Sequence, residues 1–133
     1  MRDVIPLVKV VEADSSNWTQ VLKSDMLTVV YFWHEQCPWC IRLSPIFNEV
    51  TEEYEEKIKF AKLNILETPE NRELALNNGV MGTPTLMFFC QGRSIGQTVS
   101  FMSKEDLRKV LDDMLGRYMN CIKQSTDLRN YVV

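Results

Sequence analysis

The sequence predicts an α/β fold with a central mixed sheet of four to five strands and helices on both faces. Apolar runs of strand length alternate along the chain with segments in which apolar residues recur every three to four positions. Two neighbouring apolar segments are separated only by Gln91-Gly92-Arg93, which is typical of a β-hairpin. The alternation predicts right-handed parallel crossovers, and the hairpin adds antiparallel pairing.

The first part of the chain is predicted to contain two strands and two helices. Residues 7–12 form the first strand, and a short helix around Trp18 follows it, capped by Ser15 or Ser16. The run Leu27–Trp33 is apolar throughout most of its length and predicts a buried second strand. The second helix then follows, and its apolar residues at helical spacing are Leu43, Phe47, Val50 and Tyr54.

A third strand and a third helix are predicted next. Residues 58–65 form the strand. Thr68 is placed to cap the helix, with Pro69 at its first position. Gly79 can end this helix because glycine readily adopts a left-handed conformation.

The last part of the chain predicts a hairpin and a long helix. Thr85–Cys90 and residues 94–100 form the two strands of the hairpin. Ser103 and Asp106 resemble a capping box at the start of the helix. The apolar stripe of that helix consists of Leu107, Val110, Leu111, Met114, Leu115, Tyr118 and Ile122.

Length, composition and charge limit the classes of protein that this chain can be. Its 133 residues, 45% of them hydrophobic, can build one core without cross-links. We predict a monomer with a single domain over residues 1–133, its core at about 10–116 and a C-terminal helical extension at about 117–133. The net charge of -3 offers no basic surface for nucleic acid, and no stretch reaches the roughly 20 apolar residues of a membrane span. Neither nucleic acid nor a membrane is an expected partner.

The expected location is cytoplasmic. Residues 1–14 carry charged side chains among their apolar residues and lack the apolar core of a signal peptide. The four cysteines include one close pair, unlike the framework of a secreted disulfide-rich protein. In a reducing cytosol, that close pair would form a transient and catalytic disulfide.

The motif Cys37-Pro38-Trp39-Cys40 carries the chemistry. If Cys37 is the N-cap of the second helix, unpaired N–H groups and the helix dipole favour its thiolate, and the Trp39 amide is expected to bond that sulfur. Cys40 lies on the same helical face within disulfide reach. We predict that Cys37 is the nucleophile, that Cys40 resolves the mixed disulfide, and that Pro38 and Trp39 contact the substrate.

Residues 30–40 resemble the active-site segment of the thioredoxin family. Further similarities are Pro45 at the position of a kinking proline, residues 61–65 as the third strand, Gly82-Thr83-Pro84-Thr85 as the cis-proline turn, and Gly92 in the hairpin turn. The resemblance covers roughly residues 10–116. It implies the thioredoxin fold.

The resemblance also implies function. It implies a cis Thr83-Pro84 bond, with Thr83 and Pro84 binding substrate beside the cysteines. It implies disulfide-containing protein substrates and no cofactor beyond the Cys37-Cys40 pair. Because no nucleotide-binding glycine motif is present, a separate reductase or a low-molecular-weight thiol must supply electrons.

The sequence departs from the family pattern in three ways. Gln36 replaces the usual tryptophan, and Pro38-Trp39 is closer to the Cys-Pro-aromatic-Cys pattern of glutaredoxins. Tyr31 replaces the buried aspartate that takes the proton of the second cysteine; an ordinary tyrosine, with a pKa near ~10, keeps its own proton. Lys62 is then expected to meet the Tyr31 hydroxyl or to reach solvent, and Tyr31 and Lys62 are candidate tuning residues.

Other readings of the cysteines remain open. The pair has the spacing of half a zinc site, but His34 is the only histidine, so no metal is expected. An iron–sulfur cluster shared by two chains is a further alternative. Cys90 is expected to be a buried small hydrophobic residue, and Cys121 a helix-packing residue or an exposed thiol; both are taken as structural.

The preferred function is reduction of protein disulfides by dithiol exchange. A glutaredoxin-like enzyme that uses a low-molecular-weight thiol is the first alternative. A binding or adaptor protein with slow or vestigial redox activity is the second.

Overall fold

The computed structural model describes the backbone of residues 10–131 and the side chains of residues 10–124. The part of the predicted first strand before residue 10 lies outside the described residues. In chain order, the elements are β1 (Val10–Glu12), α1 (Trp18–Leu22), β2 (Leu27–Trp33), α2 (Pro38–Tyr54), β3 (Ile58–Asn64), α3 (Pro69–Asn77), β4 (Thr85–Cys90), β5 (Arg93–Val99) and α4 (Lys104–Tyr131).

The strands form one mixed sheet in the order β1-β3-β2-β4-β5. β3 pairs in parallel with β1 and β2, whereas β4 pairs antiparallel with β2 and β5. The predicted mixed sheet and the hairpin are therefore confirmed. β2 occupies the centre, and its residues are buried except for the half-buried Trp33 at its end.

Each face of the sheet carries its own apolar core, because side chains alternate along the strands. On one face, Tyr31 and Phe88 pack with apolar residues of α2 and α4. On the other, Phe32 and Met87 pack with apolar residues of α1 and α3. Helices cover both faces, as predicted.

Local capping residues correctly predicted where two of the helices, α3 and α4, begin. The Thr68 hydroxyl accepts the Asn71 amide at 3.0 Å, and the Ser103 hydroxyl accepts the Asp106 amide at 3.1 Å. The prediction for α1 was wrong, because Asn17 is its N-cap. The Asp14 carboxylate accepts hydrogen bonds from the backbone amides of Ser16 and Asn17. This turn holds both serines outside the helix, so α1 begins after them.

The long helix α4 packs against the sheet beyond the predicted core boundary at residue 116. It runs without a break across residues 116 and 117, and Tyr118 and Cys121 are buried against the core. Among the described residues, no helix is both long and apolar enough to span a membrane.

Cys90 and Cys121 form a disulfide, with their Cα atoms 6.6 Å apart. The expectation that they act as separate packing residues or thiols is therefore wrong. Cys90 ends β4, and α4 brings Cys121 back to it across 31 positions of sequence. This long-range approach depends on how α4 packs, which the local sequence does not reveal.

Candidate active site

The dithiol lies where the central strand meets a helix. β2 ends at Trp33, a short turn follows, and Pro38 begins α2. Cys37 is the N-cap, with an extended backbone, as predicted. Proline fits the next position because the first helical N–H needs no partner within the helix. The sequence thereby places one sulfur at the positive end of α2.

Cys37 and Cys40 are joined as a disulfide, with their Cα atoms 5.2 Å apart. The Cys40 amide donates a hydrogen bond to the Cys37 sulfur at 3.2 Å. The expected donor, the amide of Trp39, was therefore the wrong one; an N-cap side chain normally accepts from the second or third helical residue, and here the third residue donates. Cys37 is 5% exposed and Cys40 is 1% exposed, so Cys37 is the more accessible of the two cysteines.

The Tyr31 hydroxyl lies next to the backbone of Cys40. It donates to the backbone carbonyl of Cys40 at 3.0 Å and shares a hydrogen bond of 3.0 Å with the Ser44 hydroxyl. Burial raises the pKa of Tyr31 above its ordinary value, against the smaller opposing effect of Ser44. Tyr31 therefore stays neutral at physiological pH and acts here as a hydrogen-bonding group.

Lys62 does not meet the Tyr31 hydroxyl. Its ammonium group lies 3.4 Å from the Glu12 carboxylate and 5.5 Å from the centre of the Trp33 ring. β1 pairs Glu12 directly with Lys62 on β3, and this pairing brings the Glu12 carboxylate to the ammonium group. The Lys62 side chain is 32% exposed, so it reaches solvent, which was the second of its two expected positions.

The peptide bond between Thr83 and Pro84 is cis, as the resemblance implies. Pro84 directly precedes β4, whose first residue Thr85 pairs with Phe32 near the end of β2. Pro84 therefore lies at the same edge of the sheet as the dithiol. Its carbonyl accepts the Ser100 amide at 2.9 Å, which joins this turn to the loop after β5.

An aromatic surface borders the dithiol. Trp39 is 51% exposed, its ring lies 5.6 Å from that of Phe101, and the Arg42 guanidinium stacks over it at 5.1 Å. Phe101 was missed by the sequence analysis. An aromatic residue just after the hairpin was the available signal, but its contact with Trp39 depends on tertiary structure.

A cavity of about 520 Å³ adjoins Cys40. It brings Cys40 together with polar side chains, among them Glu35 and Ser44. Within the part of the chain whose side chains are described, the Trp33 indole nitrogen is buried without a hydrogen-bond partner. The lining residues are Trp33, Glu35, Cys40, Ile41, Ser44, Pro45 and Asn48.

Over residues 10–124, no group of three or more His, Cys, Asp or Glu side chains is arranged to hold a metal ion. The chemistry that the Cys37–Cys40 pair can perform is thiol–disulfide exchange, because the Cys37 sulfur accepts an N–H at the helix end and the Cys40 sulfur lies within bonding distance of it.

Known proteins share this sequence pattern. The family model described as Thioredoxin matches residues 9–113. A thioredoxin from Pseudomonas aeruginosa is 38% identical over 99 residues, which cover 74% of this chain and 89% of that protein. Thioredoxin 1 from Nostoc is 35% identical over 102 residues, covering 77% and 92% respectively. The chain therefore belongs to the thioredoxin family of thiol–disulfide oxidoreductases.

Proposed function

We propose that this protein reduces disulfides of protein substrates, with Cys37 as the nucleophile and Cys40 as the resolving cysteine. One observation carries the assignment: the Cys37 sulfur caps α2 and accepts the Cys40 amide at 3.2 Å. A thiolate at that position is stabilised by an N–H donor and by the helix dipole. Cys40 lies deeper and enters the reaction second.

Each turnover moves two electrons from the dithiol to the substrate. The Cys37 thiolate attacks one sulfur of the substrate disulfide, which forms a mixed disulfide and releases the other sulfur as a thiolate. Cys40 then loses its proton and attacks the Cys37 sulfur. The Cys37-Cys40 bond forms, and the second substrate sulfur leaves.

The substrate-contacting residues are proposed to be Pro38, Trp39, Thr83 and Pro84. Trp39, which stands between the two cysteines in the sequence, presents an exposed aromatic ring. Thr83 is half-buried and Pro84 buried at the neighbouring turn. An extended peptide could lie between Trp39 and this turn, with its sulfur facing Cys37.

The proton of Cys40 is proposed to leave through water in the adjoining cavity, because neutral Tyr31 cannot accept it. We expect Tyr31→Asp to raise the rate of resolution by roughly tenfold, since a carboxylate there can take the proton. The measurement is the decay of the mixed disulfide after rapid mixing with an oxidised peptide.

Tyr31→Phe is the matched control, because it keeps the ring and removes the hydroxyl. Its resolution rate should stay near that of the wild type. An equal acceleration in both variants, or none in Tyr31→Asp, would contradict the assignment. Thermal unfolding of each variant checks that the buried substitution leaves the protein folded.

The oligomeric state, the lack of a further cofactor, the electron donor and the location are also proposals. The protein acts as a monomer of one domain, uses the Cys37-Cys40 pair without another cofactor, and receives electrons from a separate reductase or a low-molecular-weight thiol. A cytoplasmic location stays a prediction. It now requires a Cys90–Cys121 bond that resists a reducing thiol pool.

Insulin reduction tests the proposed function. With dithiothreitol as donor, the wild type should precipitate insulin chains several times faster than dithiothreitol alone, and protein alkylated at its reduced active site should not. Equal rates would favour an adaptor protein.

The exposed Trp39 after Pro38 supports a glutaredoxin-like alternative. Glutathione alone would then sustain turnover on a small glutathione mixed disulfide. Turnover only with a dithiol donor would exclude this alternative.

A further inference from the structure

The Cys90–Cys121 disulfide joins a part of the chain that matches the thioredoxin family model to a part that lies outside the match. Cys90 ends β4, inside the segment that matches the family model, whereas Cys121 lies beyond residue 113, where that match ends. The bond therefore connects the common sheet to a helical segment outside the family match.

This segment of α4 is packed against the sheet. Tyr118 is 7% exposed, and its hydroxyl donates to the backbone carbonyl of Asp25. Met114 lies against Gly96 of β5, so closely that a Cβ at Gly96 would meet its terminal methyl at 2.7 Å. Cys121 continues the same buried stripe one turn after Tyr118.

We propose that Cys90–Cys121 is a structural disulfide that fastens this segment of α4 to the sheet and stays closed while Cys37–Cys40 opens and closes. The two bonds lie toward opposite ends of the central strands. β4 starts beside the dithiol and reaches Cys90 five residues later, roughly 17 Å away at the rise of an extended strand. The Cys37 sulfur cannot attack the second bond across that distance.

The surroundings of the second bond also oppose exchange with an external thiol. An attack on Cys121 must expel Cys90 as a thiolate, and Cys90 is fully buried within the apolar core. Burial in apolar surroundings raises the pKa of a thiol and makes it a poor leaving group. Cys40, in contrast, borders a cavity with polar side chains.

Arg93 distinguishes the two sulfurs of the second bond. Its guanidinium donates to the Cys121 sulfur at 3.3 Å and would stabilise a thiolate there, not at Cys90. Release of Cys121 would require an attack on Cys90, whose side chain is 0% exposed. Attack on the more accessible Cys121 sulfur must therefore expel Cys90, which is the poor leaving group. Attack that expels Cys121, the better leaving group, must occur at the buried Cys90 sulfur.

Graded reduction of the native, oxidised protein tests the proposal. Samples are incubated with rising concentrations of dithiothreitol, alkylated, and mapped by peptide mass. We expect Cys37 and Cys40 to be labelled at a dithiothreitol concentration at least about tenfold below that needed for Cys90 and Cys121. In guanidinium with the same reductant, all four cysteines should be labelled. Simultaneous labelling in the native protein, or labelling of Cys90 and Cys121 without reductant, would overturn the proposal.

Thermal unfolding tests the fastening role. Cys121→Ala should lower the Tm by about 10 °C, as expected for loss of a disulfide that closes a loop of some thirty residues. Met119→Ala is the matched control, because Met119 lies on the same helix and is 63% exposed. A Tm of Cys121→Ala equal to that of the control would overturn the fastening role. If Cys121→Ala does not fold, the graded labelling of the wild type still decides whether the bond is independent.

Discussion

Replacement of Cys37 by serine is expected to lower the enzyme-dependent part of the insulin-reduction rate by a factor of about 10³ or more, so that the observed rate falls several-fold to that of dithiothreitol alone. A serine hydroxyl is not ionised at neutral pH and does not attack sulfur. The helix end and the Cys40 amide would still be present, but they would have no thiolate to stabilise. The assay is insulin precipitation under the conditions given above.

Cys40→Ser is the matched variant, because it removes the second sulfur and retains the first. Cys37 should still attack the substrate, and the mixed disulfide should accumulate because nothing resolves it. Mass spectrometry of the unreduced sample would detect the adduct on Cys37. An adduct that forms in Cys37→Ser instead would reverse the two roles.

Phe47→Ala is expected to lower the free energy of unfolding by about 3–5 kcal/mol. Phe47 lies on α2 and is 1% exposed, and its ring centre lies 4.8 Å from that of Tyr31 and 5.7 Å from that of Phe60. Truncation would leave a cavity between the helix that carries the dithiol and the sheet. Guanidinium unfolding followed by far-ultraviolet circular dichroism measures the loss.

Ile41→Ala serves as the control on the same helix, since Ile41 is 62% exposed. Its free energy of unfolding should change by no more than about 0.5 kcal/mol. A loss below about 1 kcal/mol in Phe47→Ala would show that the core can close around the missing ring.

Structural features that depend only on neighbouring residues were predictable from the sequence. The buried run of β2, the cap at Thr68 and the position of Cys37 before Pro38 each depend on a few neighbouring residues and on general preferences of helices and strands. The family resemblance supplied the cis bond before Pro84. Together they located the dithiol and the sheet edge that borders it.

Features that depend on packing between distant segments were missed. The bond between Cys90 and Cys121 requires the course of α4, and the contact of Phe101 with Trp39 requires the loop after β5. Lys62 had two expected positions, and only the position of β1 beside β3 decided between them. In each case, several local arrangements agree with the sequence, and the tertiary fold selects one.

The central position of β2 has a consequence for the two redox states. This strand is hydrogen-bonded on both sides, to β3 and to β4, and it leads directly to the turn before Cys37. Any displacement of its end would break ladders with two neighbours at once. We therefore expect the Cys37–Cys40 bond to open and close by rotation of the two cysteine side chains, with the backbone of β2 unchanged between the oxidised and reduced states.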